Sequence, residues 1–136
     1  MKLAVNILIF AINAALSEAL VLAEASGIPL KQAYEVIAQG AVGSPFIGYK
    51  RASFLDPAAT PVGFALELAE KDLRLILEAA ARLGLDLPQT RAGRQLVMEA
   101  AAGGRAANDL STVLAELRSR RRVTVPADSQ REGTLG

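Results

Sequence analysis

The chain has 136 residues, a formal net charge of +1, and neither Cys nor His. Such a length suggests one domain, and so even a charge balance argues against a nucleic-acid or membrane-surface footprint. Without Cys or His there is no disulfide framework, no thiolate metal site and no Ser-His or Cys-His nucleophile pair, so no metal site is expected. Any acid–base chemistry must rest on Lys, Asp, Glu or Tyr. Hydrophobic residues make up 51% and aromatics only 4%, so the core is expected to be built from Ala, Leu, Val and Ile.

The first segment, MKLAVNILIFAINAALSEALVLAEASG, predicts a helix over about 2–26, closed by Gly27 at the left-handed C′ position. One Lys ahead of an apolar run resembles an export signal. Asn6, Asn13, Ser17, Glu18 and Glu24 interrupt it too often for a membrane span, so the expectation is a soluble, buried helix with no membrane partner. A short helix follows over 30–39, ended by Gly40. A weaker one near 45–52 has Ser44 as N-cap and Pro45 at N1. The stretch DPAATPVGF reads as a loop.

In ALELAEKDLRLILEAAARLG, apolar residues at i, i+3, i+7 spacing predict an amphipathic helix. Glu67–Lys71, Glu70–Arg74 and Glu78–Arg82 stand in the favourable i, i+4 order. Gly84 ends this helix, Pro88 begins another to about Ala102, and Asn108 or Asp109 caps a last one to about Arg120. No stretch reads as a sheet. The expected fold class is all-α, with about six helices in a bundle and a long first helix buried on several sides. Residues 1–121 are expected to form the domain, and 122–136 a disordered tail.

On a helical wheel, Lys2, Asn6, Asn13, Ser17 and Glu24 of the first helix fall within an arc of about 60°. A surface helix normally shows a wider polar face. So narrow a stripe faces either a thin strip of solvent or a polar cavity. Lys2 and Asn6 stand at i, i+4, where both heads can meet one ligand. An ammonium and a carboxamide together can hold a hydroxyl and a carboxylate. An ammonium partly removed from water is also a readier proton donor near neutral pH.

Lys2-Leu-Ala-Val-Asn6 resembles the Lys-x-x-x-Asn motif of the β-hydroxyacid dehydrogenases, a family that includes 3-hydroxyisobutyrate dehydrogenase and tartronate semialdehyde reductase. Ser17-Glu18-Ala19, Ala23-Glu24 and Gly27 resemble the continuation of that family's helix. Phe64 with Lys71-Asp72-Leu73 is similar to its Phe-x₆-Lys-Asp-Leu segment, Gly84 and Pro88 to its Gly-x-x-x-Pro turn, and Asp109-Leu110-Ser111 to its closing Asp-x-Ser. The likeness runs over about residues 2–118.

The resemblance implies a helical C-terminal domain of the 6-phosphogluconate dehydrogenase type, which binds substrate and carries the dimer contacts. It implies that Lys2 is the catalytic lysine, exchanging a proton with the substrate oxygen. Asn6 would hold the substrate and Phe64 line its pocket. Lys71 would lie beside an NAD or NADP cofactor. A G-x-G-x-x-G turn after a strand does not occur, so the N-terminal Rossmann domain is expected to be absent and the main cofactor site to lie outside this chain. The expected protein is thus part of a cytoplasmic NAD(P)-dependent oxidoreductase acting on a small hydroxyacid or semialdehyde, inactive as this chain alone. It should be a homodimer or higher homo-oligomer that binds no nucleic acid. The alternative is a non-catalytic helical oligomerisation module.

Overall fold

A computed structural model describes residues 1–122. The tail expected over 122–136 lies outside the described residues except for Arg122. Helix α1 spans Lys2–Ala25, α2 Leu30–Gln39, α3 Pro45–Leu55, α4 Leu66–Arg82, α5 Pro88–Ala100 and α6 Val113–Ser119. A wide π-type turn (Ala101–Arg105) follows α5, and a 3₁₀ turn (Leu110–Thr112) leads into α6. Among the described residues the only β pairing is an isolated antiparallel bridge between Ala65 and Asp109.

The helix ends follow from local chemistry. Gly27 (φ +85°) and Gly84 (φ +69°) hold the left-handed conformation that lets the chain turn back. Behind each, the next amide closes the helix: Ile28 N–H donates to Ala23 O, and Leu85 N–H to Ala80 O. Ser44 Oγ accepts from Ile47 N–H and caps α3, with Pro45 at its first turn.

Helix α1 runs the length of two apolar clusters. Its N-terminal half puts Phe10 against Leu66, Leu73 and Ile76 of α4, Val97 of α5, and Leu110 and Val113. Its C-terminal half packs Leu16 and Leu20 against Tyr34 of α2, Ile47 and Phe54 of α3, and Leu114 of α6. Between the clusters lies a polar seam. Asn13 is 1% exposed, and its Nδ2 donates to Leu110 O at 3.1 Å. Ser17, fully buried, donates to Asn13 O at 2.7 Å.

This corrects the expected burial of α1. It is not enclosed on several sides: only Phe10, Asn13, Leu16, Ser17 and Leu20 are buried. The middle of the narrow polar stripe lies in the inward face, flanked by buried Phe10, Leu16 and Leu20, and the opposite apolar side faces out, with Leu8 62% and Leu22 68% exposed. The physical reason is that the Asn13 Nδ2 and Ser17 Oγ donors find acceptors inside the protein, which offsets much of the cost of burying them, while Asn13 Oδ1 is buried without a partner among the described residues. By length and composition α1 could also cross a membrane, yet the side-chain donors of Asn6, Asn13 and Ser17 on its polar stripe are taken by protein acceptors.

Two of the expected helix-surface pairs are replaced. Glu70 is taken by Arg94 of α5, bidentate at 2.8 and 3.1 Å, which ties α4 to α5. Arg74 turns instead to Glu78 at 3.3 Å. A bidentate guanidinium across two helices outcompetes a flexible pair along one.

Asn13→Ala removes the cross-link from α1 to the Leu110 carbonyl, which keeps the Val113 N–H, and leaves a small void in the seam. It should destabilise the fold by about 1 kcal/mol, the net worth of one buried hydrogen bond. Urea unfolding followed by circular dichroism measures this; a loss below about 0.5 kcal/mol would show that the seam carries no weight.

Candidate active site

A cavity of about 340 Å³ opens beside the N-terminal half of α1. Asn6, Ile9 and Phe10 form one wall, and Phe46, Tyr49, Lys50 and Ser53 of α3 the opposite one. The loop before α4 supplies Thr60, Pro61, Gly63 and Phe64. Phe64 leans on Phe10 with ring centroids 5.7 Å apart, and Phe46 meets Tyr49 edge-on at 5.4 Å. The lining is thus mostly apolar with a few polar heads, the usual make-up of a small-molecule site.

Of the four residues singled out from sequence, two meet here. Asn6 and Phe64 line the cavity from α1 and from the loop. Asn6 is held: its Nδ2 donates to Asp72 Oδ2 on α4 at 3.3 Å, which aims the carboxamide. Lys2 lies one turn before Asn6 on the same stripe but is exposed and does not line the cavity. This chain does not supply the partial removal from water considered for that ammonium. Lys71 is exposed on α4, next to Asp72 and outside the cavity. Among the described residues, the pairing with Glu67 expected from spacing is not made.

The strongest electrostatic feature lies at the cavity floor. Lys50, 4% exposed, places Nζ 2.5 Å from Asp109 Oδ1. The Asp109 carboxylate also accepts from the amides of Ser111 at 2.9 Å, Gly63 at 2.9 Å and Phe64 at 3.2 Å. Burial pushes this carboxyl up, but the hydrogen bonds from Lys50, Ser111, Gly63 and Phe64 outweigh it and hold it down to about 2. Asp109 thereby pins the backbone at Phe64, so the ring's place in the cavity depends on a residue 45 positions away.

Sequence reasoning gave Lys50 and Asp72 no role. The signal for Lys50 was present: Ile47, Lys50 and Phe54 stand at i, i+3, i+7, and all are buried. A lysine within an apolar stripe is the mark of a paired or ligand-facing charge. Asp72 was visible only as part of a motif, since its partner Asn6 is 66 residues away.

A family model described as NAD-binding of NADP-dependent 3-hydroxyisobutyrate dehydrogenase matches residues 1–117. The chain belongs to this family. It is 29% identical over 119 residues to glyoxylate/succinic semialdehyde reductase 2 of Arabidopsis thaliana, a chloroplastic protein, covering 88% of this chain and 33% of that one. It is 32% identical over 117 residues to 3-sulfolactaldehyde reductase of Escherichia coli K12, covering 86% of this chain and 39% of that one. The crystal structure of 3-hydroxyisobutyrate dehydrogenase from Salmonella typhimurium superposes with a TM-score of 0.78 at 29% identity, over 85% of this chain and 40% of that chain. The chain therefore spans about a third to two-fifths of the length of these relatives.

The family match overturns two expectations. The stretch that it describes as NAD-binding is this one, not a C-terminal helical domain of the 6-phosphogluconate dehydrogenase type, so that fold assignment is withdrawn. The expectation that the main cofactor site lies outside the chain falls with it. The first rested on the motif resemblance and the second on the missing glycine-rich turn, which is one way to hold a dinucleotide. Cationic side chains also hold phosphates, and Lys71 and Lys2 are exposed at this end of the molecule. They fit an anionic cofactor in charge. Among the described residues no group of three acidic side chains could hold a metal ion.

The depressed pKa of Asp109 sets an acid limit. The stability that it contributes is present above about pH 4, where the unfolded carboxyl is also charged, and is lost as pH falls toward about 2. A shift of this size corresponds to about 2 kcal/mol. Acid unfolding of Asp109→Asn should lack this segment of the stability curve. A variant curve parallel to the wild type between pH 4 and 2 would contradict the assignment.

Proposed function

We propose that this chain carries the substrate-binding and proton-transferring side of an NAD(P)-dependent oxidoreductase acting on a small hydroxyacid or semialdehyde. The observation that carries the reading is the convergence of Asn6 and Phe64 on one cavity, with Lys2 a single turn away on the same stripe. The relatives' names support it, since they are reductases of semialdehydes and a dehydrogenase of a hydroxyacid. A single helical unit over residues 1–121 serves the site and the subunit contact.

In this reading Lys2 donates a proton to the substrate oxygen as the carbonyl is reduced, and removes it in the oxidation. The nicotinamide, when bound, gives or takes the hydride. Asn6, aimed by Asp72, hydrogen-bonds the substrate and keeps the reacting oxygen within reach of Lys2. Phe64, packed on Phe10, forms the apolar wall. Lys71, exposed beside Asp72, meets the anionic cofactor, NAD or NADP. A cytoplasmic location belongs to the same proposal.

The outer face of α1 gives the assembly. Val5, Leu8 and Leu22 are exposed on the side away from the polar stripe. Contiguous apolar patches beyond a few hundred Å² are rare on soluble monomers, and most soluble oligomers close with two-fold symmetry. A homodimer, or a multiple of one, therefore buries this face. The same face supports the second reading, a helical assembly module without catalysis.

Turnover separates the two. In a protein of the relatives' full length that carries this chain, Lys2→Ala should lower kcat by roughly 10²–10⁴, the usual worth of a positioned acid–base group. Circular dichroism and sedimentation should not change. Wild-type turnover in this variant would remove Lys2 from the mechanism, and no turnover in either protein would favour the assembly module.

The assembly has its own test. Leu8→Glu should give a folded monomer by sedimentation at tens of micromolar. Leu16→Glu, buried in the core, should instead prevent folding. A Leu8→Glu protein that still sediments as a dimer would place the interface elsewhere.

A further inference from the structure

Lys50 is the one charged side chain among the residues that line the cavity. It is nearly fully buried, and among the described residues Asp109 is its only hydrogen-bond partner. An ammonium carries three N–H donors, so two have no acceptor among the described residues. Buried donors without partners are costly and normally filled. Lys50 lines the cavity, which is open space that can hold such a partner.

The pair is also oriented. Asp109 spends its remaining lone pairs on the amides of Ser111, Gly63 and Phe64, away from the ligand space. Its charge is thus taken up by backbone, while the ammonium stands beside Gly63, another lining residue. A Cβ at Gly63 would lie 4.0 Å from Lys50 Nζ. The absence of a side chain there leaves the ammonium unscreened. The opposite walls are aromatic and aliphatic (Phe10, Phe46, Phe64 and Ile9), so a ligand's charged group has one cationic partner and no acidic neighbour among the lining residues.

We propose that Lys50 recognises an oxyanion, such as a carboxylate, on the molecule bound in this cavity, and so makes the site select anionic hydroxyacids or aldehydes over uncharged ones of the same shape. This rests on the reading of the cavity as the substrate site. Lys50 acts on the end of the substrate remote from the reacting carbon, and its contribution is to binding and selectivity.

The test compares two ligands that differ only in charge, 4-hydroxybutanoate and 4-hydroxybutanamide, titrated into the chain by calorimetry without cofactor. The carboxylate should bind about tenfold or more tightly than the amide, the scale of one charge-assisted hydrogen bond. Lys50→Met would strand the Asp109 charge and endanger folding. The informative variant is therefore Lys50→Gln with Asp109→Asn, which removes both charges and keeps hydrogen-bonding groups. It should bind the two ligands within about twofold of each other. Equal affinities in the wild type, binding of neither ligand, or retained preference in the double variant would each overturn the proposal. Should the double variant not fold, the ¹⁵Nζ resonance of Lys50 decides: the carboxylate must shift it and the amide must not. Because no turnover is read, a charge-selective chain found in a protein that reduces no aldehyde would sink the dehydrogenase reading alone.

Discussion

One carboxylate organises this molecule. Asp109 gathers four donors, from Lys50 on α3, from Gly63 and Phe64 in the loop before α4, and from Ser111 at the start of the 3₁₀ turn. Around it the backbone closes as well. Leu66 N–H donates to Asn108 O, Glu67 N–H to Ala106 O, and Leu110 N–H to Phe64 O. The segment after α5 is thereby stitched to the first turn of α4, and three separate stretches of chain meet at one buried charge. A buried ion pair is weak evidence for stability, because desolvation offsets most of the attraction. Its worth here is geometric. It fixes the loop that presents Phe64 and leaves an ammonium facing open space.

The second constraint is the inverted polarity of α1. Most amphipathic helices bury their apolar face and wet their polar one. Here Asn13 and Ser17 lie in the seam between two apolar clusters, while Leu8 and Leu22 face outward. The inward stripe continues to Asn6 at the cavity and ends at the exposed Lys2. One helix face therefore does two jobs, specifying the packing of the interior and presenting the polar heads of the site. The outward face exposes Leu8 and Leu22.

Much of the local structure was legible in the chain. The glycines that end α1 and α4, the Ser44–Pro45 start of α3 and the period of α4 are local signals, read within one or two helical turns. What was not legible depends on residues far apart. The stripe on α1 could be solvated or buried until Leu110, 97 positions from Asn13, supplied an acceptor. Lys50 looked like one more lysine on a weak helix until Asp109, 59 positions away, paired with it. Asn6 and Phe64 could be named from a motif, but their meeting at one cavity could not. The placing of the cofactor fails for a different reason: a glycine-rich turn is one mark of dinucleotide binding, and its absence does not put the main cofactor site outside the chain.

The central claim is that the inward stripe of α1 and the cavity beside it form one reacting site. Its most direct test is a crystal structure of the full-length protein carrying this chain, with a nicotinamide nucleotide and a hydroxyacid bound. The claim predicts the hydroxyl oxygen within hydrogen-bond distance of Lys2 Nζ and Asn6 Nδ2, and the carbon chain against Phe64. A hydroxyacid seated outside this cavity, with Lys2 and Asn6 untouched, would contradict it.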